Sequence, residues 1–368
     1  MDRQYFLGVW ALMVTGIVFV FSASFPFAGR PDPMGMPGDP YEHLIRHSIY
    51  VAGAVIAMLL VSLLRPQTIR RWSGWLFFVC LVLVGLTLFS PWGVSHGGAP
   101  RWLKLPGLPE FQPSELMKIA FIALLAAVLA RKDEGRDREP AAYGAVLLVT
   151  GLITVLMLMQ RDQGMATMFW LITLSVLFFA GMRLITLIPL GLGGLTMGLV
   201  LAYQEPYRWR RVVAFLDPEH AARDVSYHII NMLIAQARGG ITGMGLGMSP
   251  DKWRWLPAPH TDSIFSVIGC ELGLIGGLVV MAAVVLLTWR ALHIARRSST
   301  PYGFYLAAGV AAMLCLQSIA HIAVNSSCMP CTGLTLPFIS DGGTSLLSAS
   351  VAVGMVLAVS RYGRRAER

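Results

Sequence analysis

Charged residues are scarce in this chain. They make up 13% of its 368 residues, whereas 55% are hydrophobic and the mean hydropathy is +0.63. Soluble globular domains carry about 25% charged residues, so this composition excludes that class and indicates an integral membrane protein. The sequence also lacks any stretch that could form an independent soluble domain. We therefore predict a single membrane domain over residues 1–368.

Features of nucleic-acid and nucleotide sites are absent as well. The net charge of +9 would suit nucleic acid, but no basic module interleaved with aromatic residues is present, so we expect no nucleic-acid binding. A glycine-rich stretch could bring backbone donors to a pyrophosphate, but it lacks the lysine and the hydroxyl residue of a P-loop. Its glycines are Gly239, Gly240, Gly243, Gly245 and Gly247. A plain re-entrant turn is the simpler interpretation.

Cysteines and metal-ligand patterns are also sparse. Of the five cysteines, three fall in apolar segments and are typical of small buried side chains. Cys328 and Cys331 could form a short-looped disulfide or stay as thiols, and the sequence favours neither. His260 and Asp262 offer two metal ligands, but no third ligand stands at a suitable spacing. We predict no dedicated metal site and no firm cofactor, with a divalent cation left as an alternative.

Long apolar runs recur from one end of the chain to the other. Each can cross a hydrocarbon core of about 30 Å as a helix. The predicted spans are 5–24, 45–64, 73–90, 113–130, 145–159, 165–181, 184–203, 263–289, 302–327 and 345–360. The sequence thus predicts an all-α, polytopic membrane protein of about ten transmembrane helices. A long loop over residues 204–262 joins the seventh and eighth helices, and its residues 227–238 have the spacing of an interfacial helix.

The distribution of basic residues predicts the orientation, because Lys and Arg in short loops mark the cytoplasmic face. They fall on every second connection, at Arg3, Arg65, Arg70, Arg71, Arg131, Lys132, Arg136, Arg138, Arg183, Arg290, Arg296, Arg297, Arg361, Arg364 and Arg365. Both termini are therefore expected in the cytoplasm and the 204–262 loop outside. Basic residues of the outer loops suit an anionic partner there, or anionic lipid headgroups.

Asp262 is the leading catalytic candidate. It ends the segment Leu256–Asp262 at the outer mouth of the bundle, directly before a long apolar run. An ionisable group at a water–lipid boundary, without an adjacent lysine or arginine, is costly, and such a group is more often kept for chemistry than for packing.

Other polar residues suggest local pairs. Glu115 and Lys118 lie three residues apart on one helical face, where they can neutralise each other or contact an anionic ligand. Asp162 follows the fifth span and could cap the next helix or support Arg101 or Lys118.

Deeper polar residues are expected to be structural. Glu271 lies nine residues beyond Asp262, about 13 Å along a helix, which is too far for a carboxylate dyad. We predict that Glu271 has a buried structural partner, with Lys118 as the candidate. Residues spaced by four form a polar stripe suited to interhelical hydrogen bonds rather than catalysis: Gln317, His321 and Asn325.

Several separated motifs carry a family resemblance. They are Gly98-Ala-Pro-Arg101-Trp-Leu, Phe111-Gln-Pro-Ser-Glu115-Leu-Met-Lys118, Gln160-Arg-Asp162-Gln-Gly164, Phe215-Leu-Asp-Pro218, Gly243-Met-Gly-Leu-Gly247, His260-Thr-Asp262 with Glu271-Leu-Gly, and Gly333-Leu-Thr-Leu-Pro-Phe-Ile-Ser340. In this order, over nearly the whole chain, they resemble the SEDS proteins, the FtsW and RodA group, and the last motif resembles the FtsW branch more closely. The chain departs from the family pattern at Pro100, Ala258, Cys270, His321 and Asp341.

The resemblance implies a peptidoglycan glycosyltransferase that polymerises lipid II outside the cytoplasmic membrane, during cell division or elongation, with a class B penicillin-binding protein. Asp262 stands where the family places its essential aspartate and would be the general base toward the acceptor hydroxyl. Cationic residues would hold the departing pyrophosphate. The substrate-binding set that we predict is Arg101, Glu115, Lys118, Asp162, Arg210, Lys252 and His260.

Two other functional classes fit the same residues. A flippase for the lipid-linked precursor would use a similar bundle and bind an anionic substrate, but it would need alternating access and no base at Asp262. A noncatalytic scaffold for division or elongation would tolerate the loss of that carboxylate and would fail when partner-binding surfaces change.

Overall fold

The computed structural model of the protein describes residues 1–28, 39, 41–107, 109–217, 223–253 and 255–363. Their helices are α1 (Arg3–Ala28), α2 (Glu42–Ser62), α3 (Pro66–Phe89), α4 (Pro113–Asp133), α5 (Glu139–Met159), α6 (Gln163–Phe179), α7 (Leu184–Gln204), α8 (Pro206–Leu216), α9 (Arg223–Gly239), α10 (Ile264–Arg296), α11 (Pro301–Asn325) and α12 (Gly343–Gly363). An antiparallel hairpin of β1 (Gly93–His96) and β2 (Ala99–Leu103) follows α3, and one 3-10 turn covers Asp251–Trp253. Pro218, Arg364 and Arg365, which were used in the sequence predictions, lie outside the described residues.

The predicted all-α, polytopic architecture is confirmed. Nine helices of the described chain are long and apolar enough to cross a membrane, and α6 is a shorter apolar helix that matches the remaining predicted span. Helix α10 continues to Arg296, seven residues beyond its predicted end at 289, and α3 and α5 begin at Pro66 and Glu139 rather than near residues 73 and 145. Helices α3 and α5 share a feature at their first turns. Both helices carry proline in the first turn, a position that proline favours. Their first polar turns continue the helix beyond the apolar run, so hydropathy alone does not mark where it begins.

Helices α4, α11 and α12 form the centre of the bundle and are buried along most of their length. Helix α11 is rich in alanine and glycine, and a Cβ at its Gly309 would lie 2.8 Å from Ile122 Cγ2 of α4. Small residues of this kind let neighbouring helices approach closely. Close approach stabilises a membrane bundle through van der Waals contacts between its helices. Helix α7 lies at the periphery, since its buried residues are Leu187 and Ala202 alone.

The two ends of the described chain lie on the same side of the bundle. Asp2 forms an ion pair with Arg290, with 2.7 Å between Oδ2 and Nη2, and its backbone N–H donates to Ser360 Oγ at 3.0 Å. Arg290 belongs to the C-terminal part of α10, whereas Asp262 precedes the first residue of the same helix. Asp262 and the chain ends therefore lie near opposite ends of α10.

The loop predicted over residues 204–262 contains two helices. Helix α9 confirms that residues 227–238 form a helix, and its position at the membrane interface stays a prediction. Helix α8 was not predicted, because its mixture of arginines and apolar residues looks like a basic loop until Pro206 is recognised as a helix start.

Helix α10 is broken at Gly273, where φ is +66°. A break frees backbone carbonyls, which cannot stay unpaired within a membrane protein. The glycine-rich turn after α9 supplies donors to them: Met244 N–H bonds Cys270 O at 3.0 Å and Gly245 N–H bonds Glu271 O at 3.0 Å. The glycines therefore form a turn, as predicted, and its packing against the break was not predicted. These two donors are not available to a pyrophosphate.

Gly239 makes the contact between α9 and α10 possible, and its substitution tests this packing. A Cβ at this position would lie 1.9 Å from Gly269 O. We expect Gly239→Ala to lower the free energy of unfolding by about 1–3 kcal/mol, because the overlap involves backbone. The control is Gly198→Ala in α7, where nothing lies within 4 Å. Thermal denaturation of the purified variants, followed by tryptophan fluorescence, should show a lower melting temperature for Gly239→Ala alone; equal values would contradict the close approach.

Candidate active site

A tight turn over residues 257–263 holds Asp262 at the start of α10. Three consecutive carbonyl oxygens of this turn accept hydrogen bonds from other elements: His260 O from Asp341 N–H at 2.9 Å, Thr261 O from Ser340 Oγ at 3.0 Å, and Asp262 O from Asn325 Nδ2 at 2.9 Å. The backbone that carries the Asp262 carboxylate is therefore tied to α11 and to the segment before α12.

Asp262 lines a cavity of about 50 Å³. The other lining residues come from α8, α9, α11 and the segment after α11, and they are Arg211, His228, His321, Val324, Cys331, Gly333 and Leu334. A cavity of this size holds a few water molecules. A small polar group such as a hydroxyl therefore fits into it.

Arg211 of α8 contributes the guanidinium group of the cavity wall. Its Nη1 donates to Cys331 O at 3.0 Å, which joins α8 to the segment after α11. Cys328 and Cys331 are both free thiols in the structure. Burial raises the pKa of the Cys331 thiol, and the positive charge of Arg211 opposes this effect.

His228 of α9 is the second basic residue of the cavity wall. Its Nε2 lies 3.0 Å from Ser263 Oγ, and Ser263 Oγ also bonds Pro257 O at 2.8 Å. Since a carbonyl can only accept, the hydroxyl proton goes to Pro257 O and His228 Nε2–H donates to the hydroxyl. Burial lowers the pKa of His228, although the negative charge of Asp262 opposes this shift. The imidazole is therefore neutral at pH 7.

The polar stripe of α11 makes contacts between elements, as predicted. Gln317 Nε2 donates to Thr335 O at 2.9 Å, and His321 Nδ1 donates to Leu334 O at 2.7 Å. His321 Nε2 therefore carries a lone pair. It is buried and has no hydrogen-bond partner within the described residues. His321 is thus structural through one nitrogen, while the other is a spare acceptor on a side chain of the cavity wall.

The Asp262 carboxylate differs from the buried carboxylates of the protein. Six carboxylates are buried in the described chain, and each forms an ion pair: Asp2 with Arg290, Glu115 with Lys118, Asp162 with Arg101, Asp251 with Arg238, Glu271 with Lys252, and Asp341 with Arg46. Asp262 is half-buried, and within the same residues its carboxylate neither accepts a hydrogen bond nor forms an ion pair. It is therefore available to a ligand.

Glu115 and Lys118 form the predicted pair inside the bundle. Lys118 Nζ lies 2.9 Å from Glu115 Oε2 and donates to Gln317 Oε1 at 2.7 Å. Glu115 also accepts from Ser348 Oγ at 3.2 Å. Neither residue lines the cavity of Asp262. Gln317 connects them to that cavity indirectly, since it bonds the 331–340 segment whose Leu334 forms part of the wall.

Asp162 has both roles that its position suggests. It caps α6 by accepting from Met165 N–H at 3.1 Å, and Arg101 Nε lies 3.4 Å from its Oδ2. Arg101 also donates to the carbonyl oxygen of Arg161, which joins β2 to the turn before α6. Burial raises the pKa of the Asp162 carboxyl, and Arg101 opposes this effect. These residues form a second polar group, separate from the wall of the Asp262 cavity.

The predicted partner of Glu271 is wrong. Its carboxylate pairs with Lys252, with 2.7 Å between Nζ and Oε1, and accepts from Ser22 Oγ at 2.7 Å. Lys118 already pairs with Glu115 three residues away. The break of α10 brings the 3-10 turn that carries Lys252 beside Glu271, and the sequence alone does not reveal this approach. The buried structural role assigned to Glu271 agrees with its surroundings.

The remaining predicted residues lie apart from one another. Arg210 is exposed on α8, so the structure brings its neighbour Arg211 into the cavity instead. His260 is half-buried, and its ring lies 5.0 Å from that of His43, between centroids. Sequence reasoning missed Arg211 and His228 as site residues; the helical period of α8 and α9 is the signal that could have separated inward from outward positions.

One group of side chains outside the cavity has the donor set of a metal site. His43, His260 and Asp341 each offer a ligand atom within 4.8 Å of the others. The spacing of ligand residues along the sequence does not reveal this group, because long stretches of chain separate its three members.

Comparison with known proteins places the fold and the motifs in context. A sequence profile named FTSW_RODA_SPOVE and described as "Cell cycle protein" matches residues 3–365. The chain is 35% identical to the probable peptidoglycan glycosyltransferase FtsW of Idiomarina loihiensis, over 99% of this chain and 88% of that protein. It is 34% identical to stage V sporulation protein E of Bacillus subtilis, over 96% and 95% of the two chains.

Solved structures show the same fold. One is a chain of a peptidoglycan synthase complex, described as "Structural coordination of polymerization and crosslinking by a peptidoglycan synthase complex". It superposes on this protein with a TM-score of 0.78 and 27% identity, and the match covers 98% of both chains. The crystal structure of the rod shape determining protein RodA of Thermus thermophilus gives a TM-score of 0.70 and 26% identity, covering 98% of this chain and 96% of that one.

The Lys252–Glu271 pair can be tested by removing one charge at a time. We expect Lys252→Met or Glu271→Gln alone to destabilise the protein by about 3–5 kcal/mol, because each leaves a buried charge uncompensated. The double variant should recover most of that loss. Lys104→Met, at an exposed position, is the control. Melting temperatures of the purified proteins provide the measurement, and strictly additive effects of the two single changes would argue against the pairing.

Proposed function

Since the chain belongs to the FtsW, RodA and SpoVE family, we propose that it is a peptidoglycan glycosyltransferase that polymerises lipid II with Asp262 as its general base. The enzyme class follows from relatives about 35% identical over nearly the full chain. The nine long apolar helices make it a multi-pass protein of the bacterial inner membrane. The role of Asp262 and the identity of the substrate are the parts that we propose.

The observation that carries the proposal is the unpaired carboxylate in the cavity. An ion pair holds a carboxylate in its charged form and weakens it as a proton acceptor. Each buried carboxylate of the described chain has such a partner, whereas Asp262 has none and borders a space that fits a hydroxyl group. Asp262 is therefore the carboxylate best suited to take a proton.

The reaction can be written around this group. The acceptor sugar hydroxyl enters the cavity and attacks the anomeric carbon of a polyprenyl-pyrophosphate-linked donor. Its oxygen forms the new glycosidic bond while its proton passes to the Asp262 carboxylate. The bond between the anomeric carbon and the pyrophosphate oxygen breaks, and the pyrophosphate leaves with the electron pair. The backbone bonds to the 260–262 carbonyls support this role, because they restrict where the carboxylate can lie.

In this proposal Arg211 stabilises the departing pyrophosphate. Its guanidinium belongs to the same cavity wall as Asp262, and a planar guanidinium suits bidentate contact with phosphate oxygens. Lys118 and Lys252 were predicted for this task, but both ammonium groups are buried and paired with carboxylates. We assign them a supporting part, and we keep Arg101 and Arg210 as outer contacts for the substrate, with Glu115, Asp162 and His260 as further members of the predicted set.

We propose that the cavity faces the outside of the membrane and both termini face the cytoplasm. The support is the alternation of basic loops together with the opposite positions of Asp262 and the Asp2–Arg290 pair along α10. We also propose a class B penicillin-binding protein as partner, because one similar structure belongs to a complex that coordinates polymerization with crosslinking.

Replacing Asp262 tests the general base. We expect Asp262→Asn to reduce lipid II polymerisation by about 10²–10⁴-fold, the range of general-base contributions. Glu205→Gln, at an exposed carboxylate of the same outer loop, should retain activity. The assay measures glycan products from lipid II with purified protein, and melting temperatures confirm that both variants are folded. Normal polymerisation by folded Asp262→Asn would refute the role of this carboxylate.

The same preparation separates the proposal from the two other classes. A flippase would move lipid II across liposome membranes, make no glycan, and keep its transport in Asp262→Asn. A scaffold would do neither, and cells would grow with Asp262→Asn while failing when the partner-binding surface is altered.

Neighbouring arginines of α8 provide a matched pair for the leaving-group contact. Arg211→Ala should lower the turnover rate by about 10²–10³-fold, the usual effect of removing one donor to a developing anion. Arg210→Ala, which removes the same charge from an exposed position, should change the rate far less. Arg211→Lys should be intermediate, because it keeps the charge but loses the planar fork. Equal losses in Arg210→Ala and Arg211→Ala would indicate general attraction and would contradict a specific contact.

A further inference from the structure

Two histidines and an aspartate meet at the 257–263 turn, and none of the three lines the Asp262 cavity. His43 belongs to the first turn of α2, His260 to the 257–263 turn, and Asp341 to the segment before α12. One ligand atom from each lies within 4.8 Å of the other two. The three residues come from three separate parts of the chain, so helical periodicity does not explain their meeting.

The distances fit a small metal ion. Zinc binds imidazole nitrogen and carboxylate oxygen at about 2.0–2.2 Å in tetrahedral sites, which places neighbouring ligand atoms about 3.4 Å apart. His43 Nδ1 and Asp341 Oδ2 are 3.4 Å apart, longer than a strong hydrogen bond between charged groups and close to that ligand separation. The His260 ring lies 5.0 Å from the His43 ring between centroids, so it borders the same space.

The second carboxylate oxygen of Asp341 contacts a buried histidine. His47 is fully buried, and its Nδ1 lies 3.3 Å from Asp341 Oδ1. Metal-binding carboxylates are commonly oriented in this way by hydrogen bonds to the oxygen that does not bind the ion.

Both histidines can offer lone pairs. Arg46 Nη2 lies 2.9 Å from His43 Nδ1, and a guanidinium has no lone pair to offer, so His43 Nδ1 must be the acceptor. His260 Nδ1 is buried and has no hydrogen-bond partner within the described residues.

Arg46 marks the place where a cation fits. Its Nη2 is within 3.4 Å of Asp341 Oδ2 as well as near His43 Nδ1, so one positive group already lies between these two ligand atoms. The Arg46 side chain is 43% exposed and has solvent to move into. A divalent ion would replace one positive charge by two and would also engage His260.

We propose that His43, His260 and Asp341 bind a divalent transition-metal ion, with zinc the best match to two nitrogens and one carboxylate oxygen, and that Arg46 is its displaceable substitute. The ion would join the start of α2, the 257–263 turn and the segment before α12. It would hold the 257–263 turn in place, and Asp262 lies two positions after His260 in that turn. The proposal goes beyond the glycosyltransferase assignment, since it concerns binding that can be measured without lipid II.

The test uses the full chain purified without a polyhistidine tag. After removal of metals with a chelator, the protein is titrated with Zn²⁺, and cobalt is used as a coloured replacement. We expect about one equivalent of tightly held zinc, the visible absorption of a four- or five-coordinate cobalt centre, and no comparable binding of Mg²⁺, which prefers oxygen ligands. Binding should also raise the melting temperature.

Variants decide between a metal site and a network of ion pairs. His43→Gln and Asp341→Asn should each weaken zinc binding by more than about 100-fold, since loss even of an outer-shell partner costs 10–100-fold. His96→Gln, at an exposed histidine of β1, should bind normally. Arg46→Gln should bind zinc more tightly, whereas an ion-pair network predicts only a loss of stability. If buried Asp341→Asn does not fold, the partly exposed His43→Gln decides alone. Absence of tightly held zinc, or unchanged zinc affinity in His43→Gln, would overturn the proposal.

Discussion

A bundle that lies in lipid can keep an ionised side chain in its interior only where a counter-charge or a set of hydrogen bonds lies within reach. This constraint organises the polar part of the protein. Glu115 pairs with Lys118, and Glu271 pairs with Lys252 and Ser22. The Glu271 group joins α10 to Ser22 of α1 and to the 3-10 turn that carries Lys252, so charge neutralisation also influences which part of the 204–262 loop lies against the bundle. The Asp262 carboxylate is the exception, and its exposure to a small cavity rather than to apolar packing is what makes the exception tolerable.

Backbone hydrogen bonding imposes the second constraint, and it determines where α9 lies. The break of α10 at Gly273 leaves carbonyls that need donors, and the glycine turn after α9 provides them. Once that turn is packed against the break, α9 is held along α10, and His228 of α9 comes within hydrogen-bond distance of Ser263. The cavity beside Asp262 therefore depends on the break of α10 at Gly273 and on the glycine turn packed against that break.

These two constraints explain how far sequence reasoning reached. The helices of the membrane domain could be predicted because a run of apolar residues has few alternatives to a membrane helix, and Asp262 could be selected because a carboxylate at such a run is unusual. The Glu115–Lys118 pair could be predicted because it lies within one helical turn. The Glu271 partner could not, since Lys252 reaches it through a loop whose course depends on the break of α10.

The choice between Arg210 and Arg211 shows the same limit at the scale of one residue. Adjacent positions on a helix differ by about 100° in direction, so a loop interpretation of residues 206–216 cannot say which arginine faces inward. The position of α8 supplies that information, and it places Arg211 in the cavity wall. The contact between His43 and Asp341 could not be predicted from residue spacing, because nearly 300 residues separate them in the sequence.

The 257–263 turn is where these separate features meet. It presents Asp262 to the cavity and His260 to the group formed with His43 and Asp341. Its carbonyls accept hydrogen bonds from α11 and from the segment before α12, so the backbone that carries both side chains cannot move far without breaking these bonds. Because only Thr261 separates His260 from Asp262, a contact that holds His260 more tightly also restricts the positions open to the Asp262 carboxylate. In the proposed reaction this rigidity would favour catalysis, since a base that is already in place loses little entropy when the acceptor hydroxyl arrives.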